Sequence, residues 1–224
     1  MAREFPAARQ ARVRKIIAVL KRTHPDAKLA LDFTTPLDLL VALILAAQAR
    51  DDLVNLVTPN LFRKYRAAAD YSGESEAALQ QQVSRINFFR QKTRSIQKAA
   101  AMLVKDFGGN VPDNMDDLLK LPGVGRKTAN AILANAFGQP AVVVDTHTRR
   151  LSQRLGLTTQ DDPDKIEADL VRIVPRKDWT KFCHLLQFHG RRVCLARNPN
   201  CPNCSVNDLC PKVGVNINKA ARKS

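Results

Sequence analysis

Four cysteines near the C-terminal end, in the pattern Cys194-x6-Cys201-x2-Cys204-x5-Cys210, constrain this chain more than any other feature. Thiols so close together are bound either to one another or to a shared metal centre. The opening stretch MAREFPAARQARVRK has no apolar core of the kind a signal peptide needs. That predicts an intracellular, reducing setting, in which a metal site is favoured over a disulfide framework. Four thiolates suffice for one tetrahedral zinc or for a cubane iron–sulfur cluster. Only Cys201 and Cys204 form a C-x2-C pair, whereas structural zinc more often shows two such pairs. Cys183 stands outside the set and reads as a buried helix residue, the usual fate of a free cysteine.

Elsewhere the apolar residues recur at helical spacing. Val13, Ile16, Ile17 and Leu20 form one stripe, and Pro25 after His24 stops the helix that carries it. Thr35-Pro36-Leu37-Asp38 offers an N-cap, a proline at the first helical position and an acid at the third. It opens a helix through LDLLVALILAAQ. The uncharged run Leu39 to Ala47 is about half the length a bilayer crossing needs, so this helix is expected to be buried in protein rather than to span a membrane. Further helices are predicted from Asp51 to Tyr65, Glu74 to Ser84, Arg90 to Asp106, Met115 to Leu121, Gly125 to Phe137, Thr146 to Leu155, Pro163 to Val174 and Trp179 to Arg192. The predicted fold class is therefore all-α. Ala141-Val142-Val143-Val144 is β-branched but has no evident partner strand, and reads as an extended buried connector. Gly108, Gly109, Pro112 and Gly138-Gln139-Pro140 are the clearest breaks, the last a candidate domain boundary. The tail from Val213 to Ser224, with Lys219, Arg222 and Lys223, is expected to fray.

Charge narrows the partner. The 224 residues carry 36 Lys and Arg against 21 Asp and Glu, a formal net charge of +15. Such an excess suits a polyanion, with nucleic acid first among the candidates; ribosomal and membrane-surface proteins are equally basic. With 45% apolar residues the chain can bury a core as one large domain or two small ones.

The segment Leu121-Pro122-Gly123-Val124-Gly125-Arg126-Lys127-Thr128-Ala129 places two glycines in a turn between short helices. Amides there, at a helix N-terminus, can face a phosphate without reading sequence; a plain corner between helices is the bland alternative. Lys127 falls in the first turn of the second helix beside Arg126. The positive potential there favours a neutral amine, which is a nucleophile, although most lysines at an anion site are simple cations. In Val144-Asp145-Thr146-His147-Thr148-Arg149-Arg150, Asp145 can cap the next helix. Amide bonds at a helix start would also orient its carboxylate for electrostatic or proton-relay work, so the two roles are compatible.

LPGVGRKTAN followed by VDTHTRR resembles the helix-hairpin-helix and catalytic aspartate of the endonuclease III family of DNA glycosylase/AP lyases. The resemblance spans most of the chain. Leu39 to Asp52 is similar to the family's buried helix ending in a short polar loop, and the cysteine spacing is similar to its cluster motif, which implies a 4Fe-4S cluster on Cys194, Cys201, Cys204 and Cys210. The resemblance implies two helical domains: a six-helix barrel over 29–137 that contains the hairpin, and an iron–sulfur domain made of 1–28 and 138–224. A DNA-binding cleft between them would complete that architecture. It further implies that Lys127 attacks C1′ of a flipped nucleotide, expels the base, forms a Schiff base and leads to β-elimination, with Asp145 assisting. An extruded base leaves a gap to be filled. By the same resemblance Gln48 enters the duplex from one side and Phe88, beside Asn87, from the other. Gly123, Gly125, Arg126, His147 and Arg197 would contact DNA.

The implied partner is double-stranded DNA with damaged pyrimidines or abasic sites, and the implied protein is a cytoplasmic, nucleoid-associated bacterial monomer. On residue type alone Gln48 equally suits a solvent-facing helix end, and Phe88-Phe89 a core pair. The sequence departs from the family pattern at Arg50, where a small residue is usual, and at Asn87-Phe88-Phe89-Arg90, where a slimmer, glycine-led loop is familiar. Two rival readings remain at this level. A monofunctional glycosylase of the same superfamily would lack the lysine at 127, and a non-catalytic helix-hairpin-helix module would need the glycines but not Lys127 with Asp145.

Overall fold

The computed structural model describes residues 4–216, so Lys219, Arg222 and Lys223 of the expected frayed tail lie outside the described residues. Eleven α-helices follow one another among the described residues: α1 Pro6–Thr23, α2 Pro36–Ala46, α3 Asp51–Lys64, α4 Ala68–Gly73, α5 Glu76–Val83, α6 Phe89–Asp106, α7 Met115–Leu118, α8 Arg126–Ala136, α9 Thr146–Arg154, α10 Pro163–Ile173 and α11 Trp179–Arg192. Short 3-10 turns occur at Arg176–Asp178 and Asn207–Leu209, and no strand is present among the described residues. Ala141 to Val144 is an extended segment with Ala141, Val142 and Val144 buried.

Five of these α-helices open on a side-chain cap, at Thr35, Ser75, Asn114, Asp145 and Asp162. The Thr35 hydroxyl accepts from the Asp38 amide at 3.1 Å and the Asp38 carboxylate accepts from the Thr35 amide at 2.9 Å, a reciprocal box that starts α2. Three expectations need correction. The helix expected from Met115 to Leu121 ends at Leu118, beyond which the amides of Lys120 and Leu121 donate three residues back, to Asp117 and Leu118. The helix expected from Glu74 starts at Glu76, because the Ser75 hydroxyl accepts from the Ala78 amide and caps it there. Ahead of it lies α4, six residues that show no periodic stripe. The Asp70 carboxylate makes that short helix possible by accepting from the amides of Arg66 and Ala67, while Ala68 and Tyr71 are buried.

The chain divides into two compact units, Leu29–Gln139 and Met1–Lys28 with Pro140–Ser224. In the first, α2 is central and packs on α3, α6 and α8. Leu39, Leu40 and Leu45 are fully enclosed with Leu61, Tyr71, Leu79, Ile96 and Leu103, which explains a helix with no charged face beyond its first turn. In the second, the stripe Val13, Ile16, Ile17 and Leu20 of α1 meets Leu151, Leu155, Ile166, Leu170, Phe182 and Leu186. Arg12 fastens α1 further by donating to the carbonyls of Leu155 at 2.8 Å and Leu209 at 3.1 Å. No helix among the described residues is long and apolar enough to cross a membrane.

Candidate active site and cysteine cavity

In the unit Leu29–Gln139, buried Leu121 and Val124 anchor the turn from α7 to α8, and the Val124 amide donates to the Leu121 carbonyl at 3.0 Å. Gly123 has φ +87°, a left-handed conformation open to glycine. A Cβ there would also stand only 3.0 Å from Cβ of Ser95 on α6, so a side chain at this position is disfavoured on two grounds. Gly125 precedes α8 and gives it no side-chain cap. Gly125, Arg126 and Lys127 are all exposed. The opening of α8 thus combines outward amides, the positive helix end and a primary amine, a set suited to an anion and to an electrophilic carbon.

Two further tips in the same unit share an unusual backbone. Gln48 has φ +55° and Phe88 φ +59°, and both are exposed. Each costs roughly 1–2 kcal/mol relative to an ordinary conformation. Phe88, 62% exposed, is not core, whereas Phe89 packs against the core with the Arg90 guanidinium 4.9 Å above its ring. Of the aromatic pair, then, only Phe89 fits the bland reading. Arg50, the bulky departure after Gln48, has its charge compensated locally: its Nε donates to the Asp52 carboxylate at 3.0 Å.

In the other unit Asp145 caps α9. One carboxylate oxygen accepts from the Thr148 amide at 2.7 Å and the other from the Gln187 side-chain amide at 2.9 Å. Gln187 was not apparent in the sequence: it sits on α11, far along the chain, and only its place on an otherwise inward-facing stretch of an amphipathic helix could have flagged it. Its own amide oxygen is buried and without a partner. His147 is half-buried with its pKa lowered by that burial, and its Nδ1 lies 3.2 Å from Nη2 of Arg150. Arg149 pairs with Asp161, and Arg150 donates to the carbonyls of Gly190 and Cys194, so both arginines of the VDTHTRR stretch have structural partners. A Cβ on Gly190 would come within 2.8 Å of His147 Nδ1, a close approach of α9 and α11 that only glycine permits.

Cys194, Cys201, Cys204 and Cys210 line one cavity whose other walls include Leu151, Leu155 and Val206. Among the described residues no three His, Cys, Asp or Glu side chains gather tightly enough to hold a single metal ion. The four thiols instead ring a common space. Burial pushes the Cys204 and Cys210 thiols up, so thiolates in this cavity call for a cationic centre among them. The ring also has donors to sulfur: Arg154 Nη1 is 3.3 Å from Cys194 Sγ and the Lys212 amide 3.4 Å from Cys210 Sγ. Arg154 reaches on to the carbonyls of Leu195 and Ala196 at 2.7 and 2.8 Å, stapling the loop. The donor set, the apolar wall and the sulfur hydrogen bonds fit an iron–sulfur cluster. Arg197 is exposed on this loop beside Asn198, whose φ is +53°. Arg192 pairs with Asp26 through two bonds and lies 4.7 Å over the Phe188 ring, a structural role. Cys183 is buried in α11 with its thiol pushed up to about 12, an inert position.

Comparison with known proteins gives this geometry a family. Residues 41–176 match the HhH-GPD superfamily of base excision DNA repair proteins. Curated relatives include endonuclease III of Synechocystis sp., 47% identical over 92% of this chain and 94% of that protein, and endonuclease III of Bacillus subtilis, 45% identical over 83% and 85%. Among solved structures, a trapped endonuclease III–DNA covalent intermediate is 42% identical and superposes with a TM-score of 0.86 over 91% of this chain and 96% of that one. The chain therefore belongs to the endonuclease III family within that superfamily, and it is a base excision repair enzyme.

Proposed function

We propose that the protein binds double-stranded DNA, excises oxidised pyrimidines as a DNA glycosylase and cleaves the strand at abasic sites as a lyase. The observation that carries this reading is an exposed Lys127 in the first turn of α8, following a glycine turn pinned by Leu121 and Val124. Its amine attacks C1′ of the extruded nucleotide, the bond from C1′ to the base breaks, and the base leaves with its electron pair and a proton. Loss of the amine proton and ring opening give a Schiff base. Removal of a C2′ proton then expels the 3′ phosphate, which is the β-elimination. Asp145, aimed by the Thr148 amide and the Gln187 side chain, stabilises the developing positive charge and relays protons.

Gly123, Gly125 and Arg126 take a backbone phosphate, and Gln48 and Phe88 fill the gap left by the base. Arg197 and His147 contribute further DNA contacts. Cys194, Cys201, Cys204 and Cys210 hold a 4Fe-4S cluster, which when bound ties the loop together and keeps its cations presented. A monomer suffices, because every residue invoked belongs to one chain, and the place of work is the nucleoid, where the substrate is.

The test is borohydride trapping on duplexes carrying thymine glycol or an abasic site, comparing the native chain with Lys127→Gln. A covalent adduct that needs Lys127 is the expected result. Strand cleavage without a trappable adduct, or salt-dependent binding with neither excision nor cleavage, overturns it. Iron and sulfide content with the visible absorbance decides the cluster against zinc.

A further inference from the structure

The first turns of α6 join the three tips of the unit Leu29–Gln139. Phe88 immediately precedes the helix, and Lys92 and Ser95, three residues apart within it, are neighbours on its surface. Ser95 packs against Gly123 of the hairpin turn. Lys92 is only 6% exposed, and its ammonium donates to the Leu45 carbonyl at 2.7 Å. Leu45 is the penultimate residue of α2, so that carbonyl is one of the last four that a helix cannot satisfy itself.

The end of α2 lacks the usual glycine turn. Ala47 has φ −56° and ψ 115°, and the left-handed residue is Gln48. The bond from Lys92 therefore closes a helix end next to the strained Gln48, while its own helix starts at the strained Phe88. Burial lowers the pKa of Lys92, the mark of an ammonium held at a desolvation cost. An apolar side chain of similar length would fill the space without that cost.

We infer that Lys92 is a positioning residue, clamping the start of α6 to the end of α2 so that Phe88 and Gln48 enter the duplex at a fixed spacing. The inference rests on the wedge reading of those two residues. Because the tips must fill one gap together, an error in their spacing weakens extrusion of the base rather than attraction to DNA.

The test uses Lys92→Met, Phe88→Ala and the double variant on a thymine glycol duplex with 2-aminopurine opposite the lesion, whose fluorescence rises as the helix is unstacked. Lys92→Met is expected to lower kcat for excision, and the fluorescence change with it, by about 10- to 100-fold, with KM within about twofold. Borohydride trapping on a preformed abasic site, measured on the same samples, should fall far less and reports that the chain is folded. In the double variant the two effects should overlap rather than multiply. Native-like excision by Lys92→Met, a multiplicative loss in the double variant, or an equal collapse of excision and trapping each overturns the inference. If Phe88→Ala itself leaves excision and fluorescence unchanged, the wedge reading fails and this inference with it. Loss with Phe88→Ala alone overturns only the role of Lys92.

Discussion

The hairpin turn and the cysteine loop are both irregular backbone asked to hold functional groups still, yet they are held by opposite means. Around Gly123 the restraint is packing within the polypeptide: Leu121 and Val124 are buried and Ser95 stands close against the glycine. Around the cysteines the protein supplies arginine bonds to carbonyls, from Arg150 to Gly190 and Cys194 and from Arg154 to Leu195 and Ala196, about a cavity ringed by thiols. The first restraint is complete in the polypeptide itself. The second leaves its centre to be supplied by whatever the thiols bind, so it is conditional on that group.

The largest break in this comparison should come from Cys204→Ser. Limited proteolysis is expected to open sites within 190–216 while fragments of 29–139 stay protected; uniform protection throughout would show that the arginine staples suffice. Mild acid should separate the units next. All four histidines, His24, His147, His184 and His189, lie outside Leu29–Gln139. Burial lowers the pKa of each, and that of His184 to about 4. An unfolded chain takes up these protons first, so their contribution is whole above pH 6.5 and is lost as pH falls towards 4, by up to about 3 kcal/mol for His184. Measured against intrinsic exchange rates, amide protection at pH 5 should fall in the histidine-bearing unit and barely change in 29–139.

Gly123→Ala should cost about 1–3 kcal/mol, from the left-handed backbone together with the Ser95 contact, and a urea melt would measure it. Because this restraint is complete in the polypeptide, the loss should be the same with or without the cluster. The smallest effect is expected from Gln187→Leu, which frees one oxygen of Asp145 but leaves the Thr148 bond. Excision should slow by roughly 10-fold with binding of abasic duplex preserved.

What could be read from the sequence follows the same division. Trp179–Arg192 was legible to the residue, because a stripe and its charged ends are local properties. The turn at Gly123 and the ring of thiols were legible as motifs. By contrast α4 depends on one carboxylate and a buried tyrosine, with no stripe to announce it. Lys92 and Gln187 were invisible for another reason: their partners lie 47 and 42 residues away, and no local pattern records a bond across that separation. Phe88 and Phe89, identical in type and adjacent, were divided only by the left-handed backbone that turns one outward.

The placement of α1 carries a consequence for the making of the protein. Its stripe Val13, Ile16, Ile17 and Leu20 is synthesised early but packs on residues from Val142 onward. The intervening stretch Leu29–Gln139 is continuous and can close while translation proceeds. At about 5–20 residues per second, the ribosome leaves that greasy stripe waiting for on the order of ten seconds. During this interval the nascent chain is one folded unit led by an orphan amphipathic helix, a natural client for a chaperone until α9, α10 and α11 emerge to cover it.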